Sequence, residues 1–503
     1  MRKLFSLLLT AGAVWAQPAA TCESPFHPET GPSWNGWGAG VANTRYQADA
    51  QIPADQVGRL QLKWAFGFPG VRSVIGQPTV AGGRVFIGVD TGQVYAIDAA
   101  SGCLAWSYKA GAGVRTAITV ARTGSRYAAF FGDLAGMAYA VDAATGAELW
   151  KSRVDTHPSA RITGAPQFFE DRLYVPVTSG EEGSGGGATY ACCTFRGNVV
   201  ALAAGSGRVI WKTYVIAEEP KETGKKPNGT SQMGPSGAGI WSAPTIDAKR
   251  RALYVGTGDA YSEPADKATD AIVALDLDTG KIRWIAQDTA NDVWLASCMR
   301  PGGPANCGPD HDFGSPPMLK TLADGRDILV AGQKSGNVWA HNPDDGAVLW
   351  RSPLVENTTE FGGKIVWGGA SDADTAYFGL GPGGIAAVQL RNGERKWFTP
   401  LTAVAGMEMH TGHEGPLTAI LGVIFSGGWD GMLRALSASD GKPLWAFNTA
   451  RDFQTVNGVA AKGGSMGAPG PVAAGGMLFV PSGYVGVRQG VGGNVLLAFS
   501  IPQ

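Results

Sequence analysis

The residues best suited to redox chemistry are six cysteines: Cys22, Cys103, Cys192, Cys193, Cys298 and Cys307. An even number in an exported chain points to disulfides. Cys298 and Cys307 are close enough in sequence to staple one loop. Cys192 and Cys193 are adjacent, and adjacency in an oxidising compartment favours a bond between them over two free thiols. Elimination leaves Cys22 to pair with Cys103, tying an N-terminal arm to the body. No Cys-x-x-Cys-His occurs, so the chain carries no c-type haem. The run from Met407 to His413 is dense in soft ligands, as copper or contact with a redox partner would require. Its spacing fits no established site, and a plain loop is the simpler reading. Gly183 to Gly187 is glycine-rich but has no following Lys-Ser/Thr, so it is a flexible loop and no phosphate cradle.

The elements that position such groups begin with the N-terminus. Met1-Arg2-Lys3 precedes a largely apolar run from Leu4 to Val14, with small residues before Gln17. This pattern predicts a secretory signal over residues 1–16, and a periplasmic or secreted protein. The apolar run is too short to span a bilayer, and no later stretch is long enough. A net charge of −1 with no basic block argues against nucleic acid and anionic membranes as partners. Glycine makes up 74 of the 503 residues and is spread along the whole chain, which suits many turns between short strands.

One unit recurs seven times: Gly or Asp, an alternating β-rich run, a short connector with Gly, then three residues and Trp. Examples are GQVYAIDAASGCLAW at 92–106, GMAYAVDAATGAELW at 136–150 and DAIVALDLDTGKIRW at 270–284. Alternation of period two makes each unit a hairpin, with Asp-x-x-Thr-Gly as its turn. The eighth unit is split. Residues 493–500 supply its first half, and Trp64, near the start, supplies its tryptophan. The prediction is an all-β, eight-bladed propeller over 61–503, closed by strands from both ends of the chain and preceded by an arm over 17–60. The blade tryptophans are Trp64, Trp106, Trp150, Trp211, Trp284, Trp350, Trp397 and Trp445. Their successive spacings are 42, 44, 61, 73, 66, 47 and 48 residues. The long intervals lie between Trp150 and Trp350, and insertions in repeat proteins gather on one face. Chemistry is expected there.

This repeat resembles the one from which quinoprotein alcohol dehydrogenases build their propeller. Cys192-Cys193-Thr194-Phe195-Arg196-Gly197, followed by Trp241, is most similar to the polyvinyl alcohol dehydrogenase branch. The resemblance implies pyrroloquinoline quinone (PQQ) and Ca²⁺ as cofactors. It makes Trp241, which lies outside the repeat, the flat floor for the quinone; ordinary packing is the alternative use of that indole. Asp259 stands where the family usually has Asn as a metal ligand. An aspartate also binds a hard cation but adds negative charge. Ser179-Gly180-Glu181-Glu182 resembles the family's Ser-Gly-x-Glu. This makes Glu182 a metal ligand, with Glu181 as the alternative, and puts Ser179 beside the cofactor.

In Asp310-His311-Asp312-Phe313-Gly314, the resemblance makes Asp312 both the base and a metal ligand. His311 replaces the family's usual Trp, so Asp310 and Asp292 stay open as alternatives. Lys334 falls where the family holds a cation over the quinone oxygens. Arg115 and Thr163 match positions that bind cofactor carboxylates or oxygens. The Cys192–Cys193 pair matches a vicinal disulfide that caps the quinone, although here it follows Glu182 within one insertion. Gly314 occupies the place where lanthanide-using members carry an extra acid, which favours Ca²⁺. The implied reaction is oxidation of an alcohol, secondary and polyvinyl alcohol included, with electrons passed to a separate cytochrome c. The rival is a non-enzymatic propeller that acts as an outer-membrane assembly scaffold or binding protein. The set Glu182, Trp241, Asp259, Asp312 and Lys334 speaks against it.

Overall fold

The computed structural model describes residues 26–300, 306–355, 364–403, 412–486 and 490–502. The signal segment, the Cys22 end of the expected Cys22–Cys103 bond, and residues 407–411 lie outside the described residues. Cys103 is disulfide-bonded.

Eight sheets, each with four antiparallel strands in up-and-down order, surround one axis. Blade one is typical: Thr79–Ala81, Arg84–Gly88, Gln93–Asp98 and Leu104–Lys109 pair in sequence. The expected closure is observed. In blade eight Gln61–Gly67 pairs with Val495–Ser500, setting Trp64 opposite Ala498, and Met477–Ser482 and Val472–Ala474 follow inward.

The consensus residues explain how one blade seats on the next. In blade two the Asp142 carboxylate accepts N–H bonds from Ala144 and Thr145 and an O–H bond from Thr145, each at 3.0 Å. This carboxylate-capped turn aims the following glycine backwards. The tryptophan of the preceding blade lies against that glycine. A Cβ on Gly146 would come within 2.8 Å of the Trp106 ring, and one on Gly346 within 2.6 Å of Trp284. The same holds for Gly102 with Trp64 and Gly393 with Trp350. The glycine is required twice over, since the turn also holds it at φ near +75°. The indole N–H then donates to a turn carbonyl, as from Trp64 to Ala99 at 3.1 Å and from Trp150 to Ala204 at 2.7 Å. At the closing seam Trp445 packs edge-on against Phe499 at 5.5 Å.

The arm crosses one end of the ring and ties blades together. Trp34 bridges to Val80, Asn43 donates to Pro244 and Thr245, and Tyr46–Gln47 adds in parallel to the strand at 418–420. Arg45 is fully buried and donates to Trp37, Gln77, Leu417, Thr418 and Pro471. No helix of the described residues is long and apolar enough to cross a membrane.

The long intervals become loops of blades three to five that knit together. Ser236–Gly237 pairs with Ala260–Ser262, and single bridges join Cys192 to Gln232, Arg196 to Gly237 and Ala260 to Val293. Cys298 and Cys307 staple one of these loops, as expected.

Candidate active site

Three of these loops deliver carboxylates to one place. Asp312 is buried, and its backbone is fixed because its carbonyl accepts the Lys334 N–H at 3.0 Å. Its Oδ1 accepts the backbone N–H of Asp259 at 3.1 Å, and its Oδ2 accepts the indole N–H of Trp241 at 3.0 Å. Lys334 Nζ lies 3.2 Å from Asp312 Oδ2 and 2.5 Å from Asp310 Oδ1. The same ammonium sits 5.4 Å from the Trp241 ring centre and 5.8 Å from that of Trp294. Asp259 is buried, yet neither of its carboxylate oxygens has a hydrogen-bond partner. One oxygen each from Asp259, Asp310 and Asp312 lie within 4.8 Å of one another.

The two neighbouring glutamates separate cleanly. Glu181, fully buried, accepts N–H bonds from Thr194 and Phe195 and the Tyr190 hydroxyl, so it holds the loop that carries the vicinal cysteines. Ser179 accepts the Glu181 N–H at 2.9 Å and so anchors the same turn. Glu182 faces the other way, into the field of Lys334, Asp312 and Asp310.

Charge follows this crowding. Burial alone would raise the Asp312 carboxyl, but the Lys334 ammonium and the hydrogen bonds it accepts hold it below the ordinary carboxylate value. Lys334 is stabilised as a cation: burial opposes its charge, and Asp310, Asp312, Asp259 and Glu182 outweigh burial. Burial pushes Glu182 up to about 7 and Asp310 up to about 6, partly offset by Lys334. Burial, with Asp312 and Asp270 beside it, pushes Asp259 well above its usual range. Among these groups Asp312 and Lys334 are the two whose charged forms the surroundings favour.

Trp241 forms the apolar side. Gly314 lies against it, where a Cβ would come within 2.1 Å of the indole. Trp367 meets it edge-on at 5.4 Å, and Arg115 stands over Trp367 at 4.6 Å. Thr163 donates to the Trp241 carbonyl at 3.2 Å. Trp241, Trp367, Arg115, Thr163 and Gly314 line one cavity on the ring axis. Cys192 and Cys193 are bonded to each other and buried beside Phe195 and Tyr261. They are clamped to the hairpin formed by Lys221–Lys225 and Ser231–Gly234 through mutual backbone bonds with Met233. Gly185, in the turn after Glu182, lies against both sulfurs, where a Cβ would come within 2.6 and 2.8 Å.

Trp241, Asp259, Asp312, Lys334, Glu182, Arg115 and Thr163 thus come together here, with Ser179 and the Cys192–Cys193 bond in the adjoining loop. Sequence reasoning missed Trp367, Tyr261 and Trp294, and left Asp310 only as an alternative. Trp294 and Trp367 share with Trp241 the one signal that could have found them, a tryptophan outside the blade repeat. In the Met407–His413 run only residues 412 and 413 are described. His413 is buried beside Ser426 and Arg434.

The donor set fits the groups implied. Several convergent carboxylates, one with both oxygens unpartnered, suit a hard cation, and a flat indole beside fixed cations suits a planar polycarboxylate. Fold and site together define a quinoprotein-type propeller oxidoreductase. A family model described as outer membrane protein assembly factor BamB matches residues 55–230 and 134–414. The chain is 41% identical to a polyvinylalcohol dehydrogenase of Pseudomonas sp., covering 97% of this chain and 82% of the relative. It is 35% identical to a second, from Sphingopyxis sp. (strain 113P3), covering 100% and 81%. A solved quinohemoprotein alcohol dehydrogenase from Pseudomonas putida HK5 superposes with a TM-score of 0.71 at 18% identity, over 93% of this chain and 80% of that one. The chain belongs to the PQQ-dependent alcohol dehydrogenases, in the branch of the polyvinyl alcohol enzymes, and is an enzyme of that class.

Proposed function

We propose that this enzyme oxidises secondary alcohols, those of polyvinyl alcohol included, with PQQ and Ca²⁺, and passes the electrons to a separate cytochrome c outside the cytoplasm. The supporting observation is the pairing of Asp312 with Lys334. A buried carboxylate is kept ionised beside an ammonium, next to the unpartnered oxygens of Asp259. Glu182, Asp259 and Asp312 would hold the ion, and Trp241, Lys334, Arg115, Thr163 and the Cys192–Cys193 disulfide would hold the quinone. When bound, the pair supplies a hydride acceptor polarised by a Lewis acid.

The protein's own residues do the rest. Asp312 accepts the hydroxyl proton, and its Oδ1 and Oδ2 are aimed for this by the Asp259 and Trp241 donors. Lys334 stabilises negative charge that develops beside it. Arg115, Thr163 and Ser179 would orient carboxylates and carbonyls, and Trp241 would keep one side of the site dry. The presence of Gly314 two residues after Asp312 favours Ca²⁺ over a trivalent ion, because no carboxylate is added there.

The test is reconstitution of chelator-treated protein with PQQ and either Ca²⁺ or La³⁺. Oxidation of secondary alcohols, short vinyl alcohol oligomers and primary alcohols is then followed with an artificial electron acceptor. Turnover of secondary alcohols with Ca²⁺ is expected. Activity with La³⁺ alone would remove the Ca²⁺ assignment, and failure to bind PQQ in any condition would remove the whole reading.

A further inference from the structure

Asp259 is shared between two carboxylate groupings. One is the triad with Asp310 and Asp312 described above. On its other side one oxygen each of Asp259, Asp270 and Asp292 lie within 4.8 Å of one another, all three residues buried. We propose that Asp259, Asp270 and Asp292 form a second hard-cation site, adjacent to the first, that binds Ca²⁺. The inference rests on the reading of Asp259 as a ligand of the first ion.

The observation that points to a ligand is Asp270. Its side chain has no exposed surface, and neither carboxylate oxygen has a hydrogen-bond donor. An unpartnered buried carboxylate is costly, and a structure tolerates it where something else meets the charge. Asp259 is in the same condition. Asp292 is different and complementary. Its Oδ1 accepts the Asp310 N–H at 3.2 Å and its Oδ2 the His311 N–H at 2.8 Å. It is thereby locked in orientation with lone pairs to spare, as a supported metal ligand is.

The backbone at Asp270 agrees. Asp270 opens the blade-four repeat at φ +50°, the place that Gly92, Gly136, Gly336 and Gly431 hold in other blades at φ +74° to +85°. An aspartate there accepts a conformation that glycine adopts freely, so its side chain is what the position retains. Charge counting adds a reason. Glu182, Asp259, Asp310, Asp312, Asp270 and Asp292 form one connected acidic nest, and Lys334 is the ammonium that reaches into it. Fully ionised, these six acids carry more charge than Lys334, Arg161 beside Glu182 and a single divalent ion supply. All candidate ligand atoms are carboxylate oxygens, with no sulfur or imidazole, which selects a hard ion.

The rival is a proton shared by the Asp259 and Asp270 carboxyls, and ion stoichiometry separates the two. Full-length protein is stripped with chelator and dialysed against Ca²⁺, and bound metal is measured by mass spectrometry. The wild type is expected to hold about two ions per chain, and D270N and D270S about one each. D312N, which touches only the first triad, is also expected to keep about one. Circular dichroism of each variant establishes that it is folded. Should neither Asp270 variant fold, the wild-type count still decides. One ion in the wild type, or an unchanged count in folded D270N and D270S, would overturn the second site. Two ions without any PQQ-dependent activity would keep this inference and overturn the proposed function instead.

Discussion

The indole N–H of Trp241 donates to Oδ2 of Asp312 across 3.0 Å, so the proposed floor of the site and its proposed base are one mechanical unit. Trp241→Phe keeps a flat ring and deletes the donor. A hydrogen bond to a charged group contributes about 1.5–3 kcal/mol, so kcat is expected to fall roughly 10- to 100-fold. PQQ affinity, read by equilibrium dialysis, is expected to change far less. Trp241→Ala removes the surface as well and is expected to lose PQQ. An unchanged kcat in Trp241→Phe would show that the bond does not orient the base.

Asp312 and Asp310 both contact Lys334, yet only Asp312 is held ionised and also receives two N–H donors. Asp312→Asn is expected to lower kcat by about 10²- to 10⁴-fold at saturating metal and cofactor. Asp310→Asn is expected to weaken metal binding while retaining most of kcat once metal is supplied in excess. Steady-state rates across a Ca²⁺ titration distinguish the two, and the reverse ranking would make Asp310 the base.

Glu181 and Glu182 differ by one position and face opposite tasks. Glu181→Gln keeps its shape but weakens its hold on the Thr194 and Phe195 N–H groups. A loss of about 1–3 kcal/mol of stability is expected, with metal affinity changed less. Glu182→Gln is expected to show the opposite pattern, a weaker metal site in a protein of near-normal thermal stability. Calorimetry with and without Ca²⁺ reads both.

What was legible in the sequence follows from which constraints act locally. The blade tryptophans and turn glycines stand at fixed offsets because each pair solves one packing problem, Gly346 under Trp284 being one instance. Repetition made that problem visible. Trp241 stood out because it breaks the repeat. The acids stood out only through the family resemblance, since Asp259 comes from one insertion and Asp292 and Asp310 from another, and no spacing rule joins them. Asp270 was hidden in plain view. It opens a repeat unit, so its residue type was absorbed into the blade pattern while its carboxylate points into the acidic nest.

Gly346 and Gly325 offer a controlled test of blade docking. Both are left-handed, at φ +75° and +86°. A Cβ on Gly325 meets nothing within 4 Å, whereas one on Gly346 would lie 2.6 Å from the Trp284 ring. Gly325→Ala is therefore expected to cost only the conformational term of about 1–2 kcal/mol. Gly346→Ala is expected to cost a further 1–3 kcal/mol, roughly, from overpacking. Denaturant melts of the two variants give the difference, and equal losses would show that the tryptophan yields freely. Deletion of residues 493–503 removes the Val495–Ser500 strand from the closing blade. It is expected to destabilise the entire ring.

The stabilisation conferred by Ca²⁺ should grow with pH. In the ion-free protein, burial raises Glu182 from 4.5 to about 7, and Asp292 and Asp310 from 3.8 to about 6. A carboxyl whose folded pKa exceeds its unfolded one contributes stability that is full below the unfolded value. That contribution is lost as pH rises through the folded value. The ion-free protein should therefore lose stability between about pH 4 and 7. Ca²⁺ binds the ionised carboxylates, so protons compete with it below about pH 7 and cease to compete above. At one fixed free Ca²⁺ concentration, the rise in Tm is expected to be larger at pH 8 than at pH 5.5. Each tenfold gain in affinity adds about 1.4 kcal/mol. Glu182→Gln, which no longer titrates at that position, should flatten the upper part of this dependence. A Ca²⁺-induced Tm shift that is equal at both pH values, or larger at pH 5.5, would show that these carboxylates do not hold the ion.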